Sequence, residues 1–203
     1  MKRFFRYFFV NSLPYKTSFM SNVVIHGHTF KMKISSAEIK KAVSDVARQM
    51  NVDLKDTKPL FLAVLNGSFM FAAALMKRVT VECEISFVKL ASYQGTGSTG
   101  TIKQLIGIDE NLKGRTVVII EDVVDSGETI ENVLEQLKDL GAAEIKIATL
   151  LFKPEAYSKN IPIDYAAIVV PNDFLVGYGL DYNGLGRNLA DIYVLDYDAE
   201  IIN

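Results

Sequence analysis

The sequence predicts an α/β protein with a doubly wound, mainly parallel sheet that is flanked by helices. Three observations support this prediction: short apolar runs rich in β-branched residues, helical patterns that alternate with them, and short polar connections between the two. Strands are predicted at 60–65, 82–90, 117–120, 145–152, 165–170, 176–180 and 192–195. Ligands of such sheets bind beyond the carboxyl ends of the strands, so the residues that follow each strand are the first candidates for a functional site.

The N-terminal part of the chain differs from the rest. Residues 1–19 are basic and aromatic, and we expect an extension outside the fold, followed by one domain over residues 20–203. Short apolar runs on either side of Gly27 predict a β-hairpin over the domain body, with His26 and His28 solvated. A capping-box signature then begins a helix with one apolar face, formed by Ile39, Val43, Val46, Ala47 and Met50.

The connection after the strand at 60–65 has the geometry of an anion site. Asn66-Gly67-Ser68 leads from that strand into an apolar helix at 69–76, so a helix N-terminus lies at the strand end. Asn-Gly is equally common in turns without a function, and the residues leave both interpretations open. The stretch 91–100, rich in Gly, Ser and Thr, is either a slack surface loop or a mobile lid over a site.

The most informative stretch is 117–130, VVIIEDVVDSGETI. An apolar strand ends in Glu121 and Asp122, and the small polar residues 125–129 begin a helix whose N-terminus suits an anion. Asp125 followed by Glu128 is also an ordinary capping signature, but a cap leaves the two acids unexplained. The hydroxyls of a sugar, or Mg²⁺, would relieve their mutual repulsion. The predicted buried face of the helix is Ile130, Val133, Leu134, Leu137 and Leu140, with Gly141 at its C′ position.

Composition narrows the class of protein. The net charge is −2, with 22 Lys and Arg against 24 Asp and Glu, so no basic field favours nucleic acid or an anionic membrane. No apolar run approaches the ~20 residues of a membrane span. The single cysteine, Cys83, is expected to be a buried and inert thiol in a reducing compartment, which favours the cytoplasm.

The stretch 117–130 resembles the phosphoribosyl-diphosphate (PRPP) binding motif of type I phosphoribosyltransferases: an apolar strand, two acids, two apolar residues and Asp-Ser/Thr-Gly-x-Thr. Residues 174–183, FLVGYGLDYN, with Arg187 after them, resemble the C-terminal signature of the hypoxanthine phosphoribosyltransferases. The resemblance extends from about residue 22 to the C-terminus. It implies the type I phosphoribosyltransferase fold with a small hood lobe, assembled as a homodimer or homotetramer.

The resemblance implies one half of the site for the phosphoribosyl group. Glu121 and Asp122 would hold the ribose hydroxyls of PRPP, directly or through Mg²⁺. The 5-phosphate would lie against Asp125, Ser126, Gly127, Glu128 and Thr129, through backbone N–H groups and the two hydroxyls. Asp125 would also be the catalytic base that takes a proton from the purine. We expect Glu128 to point to solvent and to act as a cap.

The other half would bind the base and the pyrophosphate. Lys153 would donate to the 6-oxo group of the purine, Phe174 would stack on the ring, and the backbone at Leu175 would meet its pyrimidine edge. Asp181 would complete the purine site and would ligate a Mg²⁺ that is shared with pyrophosphate; Glu121 and Asp122 are the other implied metal ligands. The pyrophosphate-binding residues implied by the resemblance are Asn66, Gly67, Ser92, Tyr93 and Arg187.

The implied activity is transfer of the 5-phosphoribosyl group from PRPP to hypoxanthine, and also guanine, giving IMP or GMP and pyrophosphate. Asn66 stands where most of the family has Lys or Arg, so the backbone at this position is carried over rather than the side chain. Two alternatives stay open: a regulatory protein of this fold that binds nucleotide or RNA, and an enzyme for adenine or orotate. Lys153, Phe174 and Asp181 together favour a 6-oxopurine.

Overall fold

The computed structural model describes residues 22–91, 103–106, 108 and 110–199. The predicted extension at 1–19 and the predicted Ser92 and Tyr93 of the pyrophosphate site lie outside these ranges. The helices are α1 (Ser36–Asp53), α2 (Phe69–Met76) and α3 (Glu128–Asp139). The strands are β1 (Val23–Ile25), β2 (His28–Ile34), β3 (Leu60–Leu65), β4 (Glu84–Ala91), β5 (Lys103–Ile106), β6 (Thr116–Val124), β7 (Glu144–Phe152), β8 (Tyr165–Val169), β9 (Leu175–Val176) and β10 (Ile192–Leu195).

The main sheet has the strand order β5-β4-β3-β6-β7-β8. Every pair from β4 to β8 is parallel, and only β5 runs antiparallel to its neighbour, so the prediction of a doubly wound, mainly parallel sheet is confirmed. From β3 the chain passes through α2 to β4 on one side, whereas from β6 it passes through α3 to β7 on the other. The strand order therefore reverses between β3 and β6, and the crevice at such a switch point is the usual ligand site of these sheets.

Alternate residues of the central strands supply the two faces of the sheet. Phe61 and Ala63 of β3 pack with the buried residues of α1 and α2, whereas Leu60 and Leu62 pack with those of α3. The five predicted face residues of α1 are all buried. In α3 the prediction holds for four residues but is wrong for Leu140, which is 47% exposed because it is the C-cap and lies beyond the last buried turn. Within the described ranges, none of the helices combines the length and the hydropathy of a membrane span.

Local capping chemistry fixes two helix ends as the sequence predicts. The Ser35 side chain accepts from the Glu38 N–H, and the Glu38 carboxylate accepts from the Ser35 N–H, which completes the capping box. At the end of α3, Gly141 has a positive φ of 82°. The N–H groups of Gly141 and Ala142 donate to the carbonyls of Lys138 and Leu137, which is the Schellman arrangement.

A second, four-stranded sheet forms the hood, in the order β1-β2-β10-β9. Its own small core contains Ile25, Phe30, Val176 and Tyr193. Ile34, Leu175 and Ile192 belong instead to the core of the main sheet and join the two layers. The predicted strand at 176–180 is wrong, because β9 ends at Val176 and the chain turns through glycines with positive φ at 177 and 179.

Cys83 lies immediately before β4, which begins two residues later than predicted. The thiol is half-buried rather than fully buried. Partial burial raises the pKa of the Cys83 thiol, and this disfavours the reactive thiolate form.

Candidate active site

Strand β6 is longer than predicted, and it places the two acids inside the strand rather than after it. Its pairing with β3 ends at Ile120, but its pairing with β7 continues through Glu121 to Val124. The prediction that Glu121 and Asp122 follow the strand end is therefore wrong. The additional hydrogen bonds to β7 keep the chain extended, and the acids lie where β6 separates from β3, beside the switch point of the sheet.

Burial makes these two carboxylates electrostatically costly. Glu121 is only 5% exposed. Burial raises the pKa of Glu121 well above its ordinary value, and the adjacent charge of Asp122 raises that pKa further. Burial also raises the pKa of Asp122, against an opposing hydrogen bond from the Val123 N–H at 2.9 Å and the nearby charge of Arg187. Such a pair is relieved by hydroxyl donors or by a cation.

Residues 125–129, here called the phosphate loop, join β6 to α3. Gly127 is the N-cap of α3 at a φ of 85°, and it has no side chain to cap the helix. The Asp125 carboxylate accepts from the Ser126 N–H instead of from the helix, so the interpretation of Asp125 and Glu128 as a capping pair is wrong. Glu128 is the first helical residue and is exposed; its expected orientation is confirmed, whereas its capping role is wrong.

The turn after β3 lies between β6 and the hood. The peptide bond from Leu65 to Asn66 is cis. A side chain on Gly67 would overlap the Asp122 carboxylate, and a side chain on Gly179 would overlap the Gly67 carbonyl oxygen. Both glycines are thus required by close approach, and the turn that sequence alone could not assign is packed directly against one of the predicted site acids.

A cavity of about 300 Å³ opens beside these elements. Its lining consists of Asp122, Val123, Asp125, Lys153, Phe174, Leu175, Leu180 and Asp181. Six of these eight are predicted site residues, drawn from β6, the phosphate loop, the residue after β7, and the hood. Val123 and Leu180 lie inside the two quoted motifs, but no site role was predicted for either. Two other cavities, of about 420 and 440 Å³, contain none of the predicted site residues.

Phe174 packs against aromatic side chains of the hood. Its ring is 40% exposed and meets Tyr182 edge-on, with ring centroids 5.6 Å apart at 80°. Phe30 lies on another side at 6.5 Å. His26 and His28 contact Tyr182 with centroid distances of 5.8 and 5.5 Å, so the two histidines belong to this aromatic cluster and are not merely solvated.

Arg187 and Asp181 form an ion pair at the cavity edge. Arg187 Nη2 lies 2.6 Å from Asp181 Oδ1, and its Nη1 donates to the Gly179 carbonyl at 2.7 Å. The Gly184 N–H donates to the second Asp181 oxygen at 2.7 Å. Glu121, Asp122 and Asp181 do not gather into a three-ligand metal cluster in the part of the chain that the structure describes.

The comparisons with known proteins agree with this architecture. Residues 35–183 match the family model described as the phosphoribosyl transferase domain. The hypoxanthine-guanine phosphoribosyltransferase of Streptococcus pneumoniae is 39% identical over 166 residues, which cover 81% of this chain and 92% of that relative. The chain therefore belongs to the phosphoribosyltransferase family.

Solved structures narrow the similarity to enzymes that are named for oxopurine bases. A hypoxanthine phosphoribosyltransferase from Staphylococcus aureus has a TM-score of 0.77 at 31% identity, covering 83% of this chain and 94% of its own. A hypoxanthine-guanine phosphoribosyltransferase from Bacillus anthracis has a TM-score of 0.75 at 33% identity, covering 81% of this chain and 96% of its own. The predicted type I fold is confirmed by these neighbours.

Proposed function

We propose that this protein transfers the 5-phosphoribosyl group from PRPP to hypoxanthine or guanine, giving IMP or GMP and pyrophosphate in purine salvage. One observation carries the proposal: a single cavity is lined by an ammonium, an aromatic ring and three carboxylates, directly beside a helix N-terminus. The first two suit a flat oxopurine, and the last two suit a phosphorylated sugar. The family and its similar relatives support the same activity.

The purine occupies the side of the cavity formed by Lys153, Phe174 and Leu175. The Lys153 N–H donates to the Val124 carbonyl at 3.0 Å, which anchors its backbone next to the phosphate loop. Its ammonium then donates to the 6-oxo group, while Phe174 stacks on the ring. Adenine would place an amino group opposite the ammonium, and two facing donors cost about 1–3 kcal/mol. Lys153 thus selects oxopurines.

The phosphoribosyl group occupies the other side. The 5-phosphate lies against the start of α3, where first-turn N–H groups have no partner within the helix and the helix dipole is positive. Ser126 and Thr129 add hydroxyl donors, and Gly127 allows close approach of the backbone. Glu121 and Asp122 accept hydrogen bonds from the ribose hydroxyls, which offsets the burial that raises both pKa values.

The donor set also fits Mg²⁺. Mg²⁺ is commonly held by one or two carboxylates together with oxygens of phosphate and water, so Asp122 with Glu121, or Asp181, can each supply the protein ligands. When bound, the ion neutralises charge on the diphosphate and so favours its departure. Because the three acids are not one cluster, we assign Asp181 to the pyrophosphate side and the other two to the ribose side.

The pyrophosphate lies near the turn after β3 and Arg187. The Gly67 N–H and the guanidinium are its donors, and the ion pair with Asp181 holds the guanidinium at the cavity edge. The exposed side chain of Asn66 contributes less than a cation would. Ser92 and Tyr93 stay predicted contributors beyond the described residues.

The reaction replaces one bond at the anomeric carbon by another. The bond to pyrophosphate breaks and its electron pair leaves with the oxygen, while an imidazole nitrogen of the purine bonds to the same carbon. The proton on that nitrogen passes to the Asp125 carboxylate, which lines the same cavity as Lys153 and Phe174. A water-free site protects the developing sugar cation from hydrolysis.

One assay tests the proposed function. Purified protein is incubated with PRPP and Mg²⁺ and, in turn, hypoxanthine, guanine, adenine or orotate, and the nucleotide product is measured. We expect turnover of hypoxanthine or guanine only. Turnover of adenine or orotate alone would reject the oxopurine assignment, and binding of IMP without turnover of any base would favour the regulatory alternative. The homo-oligomeric state and the cytoplasmic location stay predictions.

A further inference from the structure

The connection between β7 and β8 touches both halves of the proposed site. Its first residue, Lys153, lines the cavity, and three later residues, Tyr157, Ser158 and Lys159, contact the phosphate loop. Lys153 is the only predicted site residue of this connection, and the rest of the connection has no role in the proposed mechanism. We call residues 153–159 the linking segment.

Ser158 binds the backbone of the phosphate loop. Its Oγ donates to the Ser126 carbonyl oxygen at 3.2 Å, and its N–H donates to the same oxygen at 3.4 Å. The two donors direct this carbonyl toward the linking segment. In a trans peptide the C=O and the following N–H point in opposite directions, so the Gly127 N–H is directed away from the linking segment. No hydrogen bond of that N–H forms within the described ranges.

Tyr157 and Lys159 support Gly127 from the same side. A β-carbon on Gly127 would lie 2.6 Å from Tyr157 Cε2 and 2.8 Å from Lys159 Cγ, so both side chains are in close contact with the glycine. The Tyr157 hydroxyl donates to the Ile161 carbonyl at 2.7 Å, and its ring meets Phe152 edge-on at 5.4 Å. Lys159 pairs with Glu131 in the first turn of α3. The side chains that contact the phosphate loop are therefore themselves fixed by hydrogen bonds, ring packing and an ion pair.

We propose that Ser158 and Tyr157 are positioning residues, which fix the Ser126–Gly127 peptide so that the Gly127 N–H faces the 5-phosphate of PRPP. Neither residue lines the cavity, so both act through the loop. The inference rests on the proposed function for the identity of the phosphate ligand. It differs from a general structural role because it concerns only the phosphate, not the base or the ribose.

The test compares ligands that differ by one phosphate. Dissociation constants of IMP and inosine are measured by calorimetry for the unaltered protein, Ser158→Ala and Tyr157→Leu. We expect IMP affinity to fall by about threefold to tenfold, as for one lost hydrogen bond, and inosine affinity to stay unchanged. The KM for PRPP rises by a similar factor, while the KM for hypoxanthine does not.

Conservative and distant variants are the controls. Ser158→Thr keeps the hydroxyl and Tyr157→Phe keeps the ring, so both retain most of the IMP affinity. Tyr197 is 77% exposed and distant from the loop in the chain, and Tyr197→Leu leaves all constants unchanged. Thermal unfolding monitors whether each variant folds; if Tyr157→Leu does not fold, the comparison of Ser158→Ala with Ser158→Thr decides alone.

Two results would overturn the inference: unchanged IMP affinity in folded Ser158→Ala, or an equal loss for inosine and IMP. Failure of the proposed function gives a different result. In that case the unaltered protein binds IMP but does not turn over hypoxanthine, and the comparison of IMP with inosine still decides the positioning role.

Discussion

The two adjacent acids of strand β6 are unfavourable for folding unless they have a partner. Glu121 and Asp122 are adjacent and acidic; Glu121 is buried and Asp122 is half-buried, and burial raises both pKa values. A core placed there for stability alone would use apolar residues, because unpaired buried charge is destabilising. We propose that the favourable partner is the ligand, with its hydroxyls or a bound cation beside the two carboxylates.

Asp125 is the residue on which the proposed chemistry depends most. In Asp125→Asn the amide keeps the size of the side chain but cannot accept the purine proton. We expect the rate of transfer to fall by about 10²-fold or more, with little change in IMP affinity. Steady-state rates and IMP titrations measure the two quantities; an unchanged rate would remove Asp125 from the mechanism.

Gly179 and Gly184 allow a matched test of whether the close approach of residue 179 to the Gly67 carbonyl shapes the site. Both have positive φ, 106° and 87°, so alanine strains either backbone to a similar extent. A side chain at 179 also meets the Gly67 carbonyl, whereas nothing lies within 4 Å of one at 184. We expect Gly179→Ala to lower kcat/KM at least tenfold more than Gly184→Ala, on the order of 1.4 kcal/mol in activation free energy. Equal effects would show that the contact between Gly67 and Gly179 does not shape the site.

At the scale of elements, strand β6 and helix α3 form the proposed ribose and phosphate side, and their ends are set by different forces. Helix ends follow local chemistry, as at Ser35 and Gly141. The end of β6 follows its pairing with β7, which continues past the last partner on β3. Gly127 supplies no side-chain cap at the start of α3, where the Ser126 Oγ accepts from the Glu128 N–H at 3.4 Å, and we propose that the other first-turn N–H groups bind a ligand.

The capping box of α1 gives a pH-dependent prediction. Hydrogen bonds from the Ser35 hydroxyl and N–H lower the pKa of Glu38 below its ordinary 4.5. A lowered pKa stabilises the fold above pH 4.5, and this contribution is lost as the pH falls through the folded-state pKa. Glu38→Gln should therefore lower the free energy of unfolding at pH 7 and have a smaller effect at acidic pH. Denaturant titrations at several pH values, with Glu155→Gln as an exposed control outside any helix, measure the difference.

At the scale of the whole molecule, the site exists only where the main sheet and the hood meet. The hood contributes Phe174, Leu175 and Asp181 to a cavity whose other walls come from β6 and the end of β7. Ile34, Leu175 and Ile192 bury the junction in the main core. The proposed sites for the base and for the phosphoribosyl group therefore depend on one packed interface.

Phe174 tests this dependence. Phe174→Leu removes the ring that stacks on the purine, and we expect the KM for hypoxanthine to rise by about twofold to tenfold while the KM for PRPP changes little. Phe87→Leu is the matched control, because Phe87 is 41% exposed on β4 and does not line the cavity. Equal KM values for hypoxanthine in the two variants would show that Phe174 does not bind the base.

The resemblance to the family motifs indicated most of the cavity residues, whereas local patterns in the sequence were sufficient to predict the α/β class and both capped helix ends. They succeeded because β-branched runs, helical periodicity and capping residues act over only a few positions. They were insufficient for the length of β6, the exposed Leu140 and the turn at 176–180. Each of those depends on the neighbours that the chain meets in space, and not on its own composition.

The sequence by itself therefore determined the α/β class and the two motifs whose resemblance implies a phosphoribosyl group and an oxopurine as ligands, since the residues of each motif are close together in the chain. Only the tertiary structure decided that Gly67 lies between Asp122 and Gly179, that Arg187 pairs with Asp181, and that Ser158 binds the phosphate loop. The physical reason is that sheet topology and packing bring these groups together across long stretches of chain. The local conformational preferences of the residues on either side contain no information about such contacts.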